Sequence, residues 1–500
     1  MDVKLGLSVL SLLSFSFLAK ASSQVPLEFR FDQYDASLFS PYEDLSSLSA
    51  LEYTTLGHPA FPKYQVRLKQ SKEFCDGTVN AYTGYIDIEA RHLFFYFFES
   101  RSNPDQDDVI FWTNGGPGCS SSVGLFMEHG PCLVTGVNVT TFNPYGWNAN
   151  ANIFFIDQPI GVGFSYAEYG EYVSTTEEAA KDISSFIAIF FEHFTKFKGR
   201  AFHMAGESYG GRYIPAFAAA VYDQNVHLKQ AGMTPINLTS IMIGNGCSDD
   251  YSMTPTYYQM QCEPISVPPI LDIATCVQMK RMLPRCEKRL QESCIDTFDT
   301  IDCDAAMNFC NSAVLDPFWS SGYNPYDISK LCDGSVSDSL CYPITKTISS
   351  YLSRPHFQKA LGVDTAAQGN FSSCSDKVGI DFATHLDWAF PTPFYIGALL
   401  DRGVRVLLYV GANDWICNWL GNERMSFAIE WNGQKDFNSQ ALREWKVGED
   451  VAGLTRKAGG LSFATIYGAG HMVPYDQPKF ALAMVQKWLA EEDFGAGFSP

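Results

Sequence analysis

The sequence carries little positive charge: 35 Lys and Arg stand against 55 Asp and Glu, for a formal net charge of −20. A basic face that would hold nucleic acid or an anionic membrane is thereby excluded. Long hydrophobic runs are also missing. The apolar stretch Leu5 to Leu18 falls short of the ~20 residues that a membrane span needs, and Phe186 to Phe191 is bracketed by Asp182 and Glu192. No two cysteines have C-x-x-C spacing and no H-E-x-x-H occurs, so neither a metal nor any other cofactor is expected. Internal repeats and low-complexity tracts are absent, and the composition excludes collagen and coiled coil. With 46% hydrophobic and 14% aromatic residues the chain is not disordered.

What it has in excess is cysteine. Fourteen in 500 residues is more than a reducing compartment usually holds, and eight crowd between Cys262 and Cys341. The start of the chain explains them. Lys4, the serine-diluted apolar run and Ala19-Lys20-Ala21 read as a secretory signal over residues 1–21. Asn138-Val-Thr, Asn237-Leu-Thr and Asn370-Phe-Ser are sequons that a secreted chain exposes to glycosylation. The expectation is a glycoprotein of the secretory pathway, vacuolar or extracellular, without a membrane anchor, whose cysteines form disulfides.

Residues 22–64 are polar and proline-punctuated, and read as a pro-segment or N-terminal arm. From Tyr82 the texture changes to short apolar runs, each a predicted strand: Leu93 to Phe98, Val109 to Trp112, Ile153 to Ile156, Phe202 to Ala205, Ile241 to Ile243, Val404 to Val410 and Phe463 to Tyr467. Ala179 to Phe197 and Tyr213 to Val226 repeat apolar residues at three and four, the helical period. Strand, loop, helix, strand is the doubly wound α/β pattern. The stretch 250–390 breaks it with dense cysteines and prolines. It reads as a lid inserted between two parts of one core, residues 65–249 and 391–500, on the side where such sheets bind ligands.

Phe202-His-Met-Ala205 runs into Gly206-Glu207-Ser208-Tyr209-Gly210, a strand entering G-x-S-x-G. This is the nucleophile elbow, whose glycines two residues either side of the serine are expected to relieve backbone clashes. The α/β-hydrolase order then requires an acid and a histidine, each just after a later strand. Asp414 follows Val404 to Val410 and His471 follows Phe463 to Tyr467. The Tyr209 amide and the glycine-rich loop Asn114-Gly-Gly-Pro-Gly118 supply an oxyanion hole. The fold expected is an α/β-hydrolase with a mixed, mostly parallel sheet, helices on both faces and a disulfide-rich lid.

Trp112-Thr-Asn-Gly-Gly-Pro-Gly-Cys-Ser-Ser121, Gly206-Glu-Ser-Tyr-Gly-Gly-Arg-Tyr213 and Gly470-His-Met-Val-Pro474 together resemble the serine carboxypeptidase family, within it the fungal carboxypeptidase Y group. Ile156 to Tyr166 and Asp414 to Asn422 extend the likeness from about Tyr82 to Trp488. The resemblance implies that Asn114, Glu128 and Glu207 bind the free carboxylate of a peptide C-terminus. Two carboxyls facing a third can help only as proton donors, so acidic pH should favour binding. It further implies oxyanion donors at Gly116 and Tyr209, and a pocket for the last residue lined by Met127, Cys417 and Met472, with Cys417 a free buried thiol sensitive to mercurials. The pairings implied are Cys119 with Cys374, Cys262 with Cys276, Cys286 with Cys310, Cys294 with Cys303, and Cys332 with Cys341. Cys75, Cys132 and Cys247 depart from that pattern. The segment before Tyr82 is also shorter than the pro-region of vacuolar members.

The function expected is a serine-type carboxypeptidase that releases single, preferably apolar, residues from peptides and proteins through a Ser208 acyl-enzyme. Two rivals share the fold: an esterase or acyltransferase, against which the carboxylate clamp speaks, and a non-catalytic protective scaffold.

Overall fold

The computed structural model describes residues 39–495 except Lys72, Glu73, Asp76, Tyr169 and Pro391; the signal reading of residues 1–21 lies outside the described residues. The main sheet has the order β1-β2-β3-β4-β8-β5-β10-β11-β14-β17-β16-β15. Its first arm is a meander of β1 (Thr54–Gly57), β2 (Tyr64–Gln70), β3 (Ala81–Ile88) and β4 (Arg91–Phe98), all antiparallel. The centre is parallel: β8 (Ala151–Ile156), β5 (Asp108–Thr113), β10 (Phe202–Glu207), β11 (Leu238–Gly244), β14 (Arg405–Gly411) and β17 (Leu461–Ile466). The antiparallel strands β16 (Asp450–Ala458) and β15 (Arg443–Val447) close the far side. A ribbon of β6 (Cys132–Gly136) and β7 (Val139–Phe142) stands apart, as does one of β12 (Tyr323–Asn324) and β13 (Asp327–Leu331), while the short β9 (Tyr166–Ala167) pairs with β4.

All seven sequence-predicted strands are present, because runs of three to seven apolar residues in a sheet covered by helices on both sides bury both faces at once. Their alternation divides the core. Phe95, Phe97, Phe111, Phe154 and Leu408 pack on one face; Phe94, Tyr96, Trp112, Phe155 and Tyr409 pack on the other. The first face is covered by α1 (Thr176–His193) and α2 (Gly210–Gln230), the second by helices Ile344–Leu352 and Pro478–Leu489. Thr175 caps α1 by accepting from the Glu178 amide at 3.3 Å, and Glu177 and Glu178 favour the positive end of its dipole.

The stretch 250–390 is mostly helical and includes α3 (Asp250–Cys262), α4 (Ile273–Leu290) and α5 (Thr300–Cys310). It has its own small cores, one around Tyr257, Met279, Phe318 and Trp415, the other around Cys286, Leu290, Cys303, Met307 and Cys310. Two boundaries differ from the sequence reading. Thr54–Gly57, within the stretch read as an arm, pairs with β2 as the sheet's edge strand. Helix Ile344–Leu352, within the stretch read as a lid, packs into the main core through Ile348, Tyr351 and Leu352. A four-residue polar edge strand has no buried periodicity that a sequence could display.

Candidate active site

Every element of the site hangs from the carboxyl end of a parallel strand: Asn114 after β5, Ser208 after β10, Asp414 three residues past β14 and His471 five past β17. At the elbow the chain turns from β10 into α2 through Ser208, whose φ of 63° is rare for a residue with a side chain. Such a conformation persists only where the surroundings impose it. Here the Ser208 amide donates to the Gly244 carbonyl at 3.1 Å, and the Ser208 carbonyl accepts from the amides of Gly211 and Cys247.

The glycine reading needs a correction. A side chain at Gly206 would press on Ile214 and the Thr113 carbonyl, as expected. One at Gly210 would meet that carbonyl only at an ordinary contact distance of 3.4 Å, whereas one at Gly211 would strike Ser248 and Gly246. The tight packing after the serine is therefore against the loop that follows β11, one residue later than the motif suggests.

His471 Nδ1 and Asp414 Oδ2 are 2.8 Å apart, both residues buried. A carboxylate can only accept, so the bond places the proton on Nδ1 and leaves Nε2 as the basic nitrogen. The His471 amide donates to the Tyr326 carbonyl at 2.7 Å, and the Tyr326 ring lies 5.1 Å from the imidazole.

The glycine-rich loop lies directly on the elbow: a Cβ on Gly115 would overlap the Tyr209 amide, the Glu207 carbonyl and Ser208 Cβ. Gly116 has φ 118°, a conformation that glycine alone adopts readily. Tyr209 heads α2, so its amide also has the positive end of the helix dipole behind it. Its hydroxyl donates to Asp387 Oδ2 at 2.7 Å.

Beside the elbow is a buried group of acids. Asn114 Oδ1 accepts from Trp112 Nε1 at 2.8 Å and the Gly124 amide at 3.0 Å, which turns its Nδ2 toward Glu207 Oε1 at 3.4 Å. Glu128 ends a π-helical turn, Gly124–Glu128, and among the described residues neither of its carboxyl oxygens has a hydrogen-bond partner. Burial pushes Glu128 up to about 7. Burial and the facing Glu128 charge raise Glu207 well above the ordinary carboxyl range. The pair therefore holds protons where most acids have lost theirs, and can donate hydrogen bonds.

Met127 and Met472 are buried in one apolar cluster, while Cys417 is buried in a different one with Tyr257 and Trp415. Cys417 is not a free thiol: it is bonded to Cys247, with the two Cα atoms 5.1 Å apart. Cys75 and Cys132 form a further bridge, and no described cysteine is free. The five pairings that the resemblance implies are also the ones present. The expectation of a mercurial-sensitive Cys417 fails because Cys247 sits on the loop after β11, beside β14 in space though 170 residues away in the chain. Asn138, Asn237 and Asn370 are all exposed. Asn245, which donates to Asp414 Oδ2 at 2.8 Å, was not singled out by sequence; the signal available was Gly244-Asn-Gly246 directly after a predicted strand.

The serine carboxypeptidase family matches residues 73–491. Carboxypeptidase Y of Candida albicans is 40% identical over 432 residues, covering 86% of this chain and 77% of that protein. Carboxypeptidase Y homolog A of Trichophyton tonsurans is 40% identical over 439 residues, covering 86% and 78%. The crystal structure of a prohormone-processing carboxypeptidase from Saccharomyces cerevisiae superposes with a TM-score of 0.69 at 24% identity, over 86% of this chain and 91% of that one, and shares the fold.

Proposed function

The chain belongs to the serine carboxypeptidase family and is a serine-type exopeptidase acting on peptide C-termini, and from that premise we propose that Ser208, His471 and Asp414 carry its chemistry while Asn114, Glu128 and Glu207 hold the substrate's free carboxylate. The observation that carries this reading is that Glu207, a buried acid with a raised pKa, is the residue immediately before the nucleophile. A carboxylate bound there sits one residue beyond the carbonyl that Ser208 can reach, so one amino acid leaves per turnover.

In this mechanism His471 Nε2 takes the Ser208 proton as Oγ attacks. The oxyanion is received by the Gly116 and Tyr209 amides. The tetrahedral intermediate collapses as the imidazolium protonates the departing amino group, and water, activated by the same nitrogen, frees Ser208 from the acyl group. Protonated Glu128 and Glu207 donate to the substrate carboxylate. Acidic pH favours that binding, provided that His471 stays neutral for catalysis.

The apolar preference is supported by Met127 and Met472; Cys417 stays a candidate for the pocket wall as half of a disulfide. Seven disulfides support maturation in an oxidising compartment. Among the described residues no helix is long and apolar enough to cross a membrane. A vacuolar or extracellular address, N-glycans at Asn138, Asn237 and Asn370, removal of residues 1–21, a catalytic core in two parts (65–249 and 391–500) together with the edge strand Thr54–Gly57 and helix Ile344–Leu352, and a lid role for the rest of 250–390 complete the proposal. Any cut that releases part of the 22–64 arm falls before Thr54, which belongs to the sheet.

Three substrates test it: a blocked dipeptide with a free C-terminus, its amide and its simple ester. Cleavage should collapse on amidation, an esterase would favour the ester, and a scaffold would cleave none. Full activity in Ser208→Ala would overturn the mechanism.

A further inference from the structure

The loop after β11 enters the site at a point that the mechanism above does not use. Asn245, its first residue, is fully buried and has a left-handed φ of 44°. Its main-chain amide donates to the Tyr409 carbonyl of β14 at 2.8 Å. Its side chain does three things at once. Nδ2 donates to Asp414 Oδ2 at 2.8 Å and approaches the Gly470 carbonyl at 3.4 Å, and Oδ1 accepts from the Gly411 amide at 3.2 Å. The acceptor bond fixes which way the amide faces, so the NH₂ group has to point at the acid.

Asp414 Oδ2 thus receives two donors, His471 Nδ1 and Asn245 Nδ2, both at 2.8 Å. Among the described residues Asp414 Oδ1 has no hydrogen-bond partner. No bond on that second oxygen therefore resists rotation of the carboxylate about its own axis. The Asn245 bond supplies the resistance, and because Asn245 is tied through Gly411 to the end of β14 it does so from a rigid support. Two residues on, the same loop is bonded to the nucleophile turn through the Cys247 amide and to the Asp414 loop through the Cys247–Cys417 disulfide.

We propose that Asn245 is a positioning residue: it holds the Asp414 carboxylate in the rotation at which one oxygen faces His471 Nδ1, and through it keeps the imidazole aimed at Ser208. The proposal rests on the reading of Ser208, His471 and Asp414 as the catalytic groups. A purely structural role predicts something else, namely a less stable protein whose folded fraction turns over normally.

The test uses the full-length protein and three variants. Asn245→Gly removes the amide while keeping a residue at ease with a left-handed backbone. Its kcat for a blocked dipeptide should fall about tenfold to a hundredfold, as expected for a misaligned reacting group, with KM changed less than about twofold. Asn245→Asp keeps the acceptor for the Gly411 amide and puts a carboxyl against Asp414. At pH 5 crowding keeps it protonated, so that it can donate as the amide did; toward pH 8 it ionises and two carboxylates oppose each other. The ratio of its kcat to that of the wild type should therefore fall as pH rises. The other titratable groups facing Asp414, namely His471, Glu207, Tyr257, Tyr326 and Tyr342, are present in both proteins, so taking the ratio reduces their share of the pH profile. A wild-type kcat in folded Asn245→Gly, or a ratio for Asn245→Asp that is flat with pH, overturns the proposal. Ser208→Ala separates the two claims: if it retains activity the catalytic reading itself has failed, and if it is inactive while Asn245→Gly is unimpaired only the positioning role has.

Discussion

α1 and α4 are both 18 residues long, yet fifteen residues of α1 are buried and only Met279, Cys286 and Leu290 of α4. The first lies in the doubly wound core, on the sheet beside α2, and meets apolar groups on nearly every side. The second lies in the inserted stretch and presents one narrow stripe. Three buried residues contribute about 5–9 kcal/mol by burial, which is far less than the cost of ordering 18 residues. The cysteines make up part of the difference. Cys262–Cys276, Cys286–Cys310 and Cys294–Cys303 tie α3, α4 and α5 across separations of 14, 24 and 9 residues. The core is held by area and the insertion by covalent staples, and the comparison teaches why the cysteines cluster where large side chains thin out.

The candidate site follows the same division. Its reactive groups stand on core strand ends, and the insertion reaches His471 mainly through the Tyr326 carbonyl and ring. The largest effect should therefore come from the core. Ser208→Ala should lower kcat/KM by at least about 10⁴-fold while leaving the unfolding midpoint in place, as read by kinetics beside thermal unfolding. Next, Phe154→Ala, at a ring packed against Phe97, Phe186 and Phe190, should cost about 3–5 kcal/mol of global stability in denaturant titrations. The matching change in the insertion, Cys286→Ser with Cys310→Ser, removes about 3.4 kcal/mol by loop-closure entropy. Hydrogen exchange should rise in α4 and α5 and stay unchanged in the sheet; a uniform rise would dissolve the contrast between the two regions.

The core's buried acids provide a smaller test. Burial raises Asp157 to about 6 and Glu128 to about 7, and raises Glu207 as well. Groups raised in the folded state contribute stability that is complete below the ordinary carboxyl range and is lost as pH climbs through the raised values. These acids favour the fold at pH 5 over pH 8, whereas burial lowers His58, His129, His193 and His203, whose contribution is lost as pH falls below the ordinary imidazole range. The clamp is therefore read from KM for free C-termini, which should rise from pH 5 to pH 8. A KM that falls toward pH 8 would contradict the protonated clamp. Last, organic mercurials should change the wild-type activity less than about twofold, since the thiolate is the metal ligand and no described cysteine offers one. Cys247→Ser, which frees Cys417, should become sensitive to them.

Much of this was legible in the chain. The strands β4, β5, β8, β10, β11, β14 and β17 announce themselves because each is buried on both faces and so reads as an unbroken apolar run. Asp414 and His471 were legible because both follow such runs. The edge strand Thr54–Gly57 was not, having too few residues and too little burial to leave a pattern. Asn245 was not legible either, because a lone asparagine between two glycines carries the same local signal as a turn. The Gly211 contact was hidden because it depends on a loop 35 residues further along.

The sequence by itself determined the elbow, the order of the candidate nucleophile, acid and base, and the share of the chain that needs disulfides. These rest on local demands, a tight turn, a strand's burial or a helix's thin stripe, and neighbouring residues record them. Only the tertiary structure decided which sulfur Cys417 meets and that Asp414 leans on Asn245. Each of those is a distance between strand ends, and it is the order of strands in the sheet, with β11 beside β14, that brings residues 170 apart in the chain to within a bond of each other.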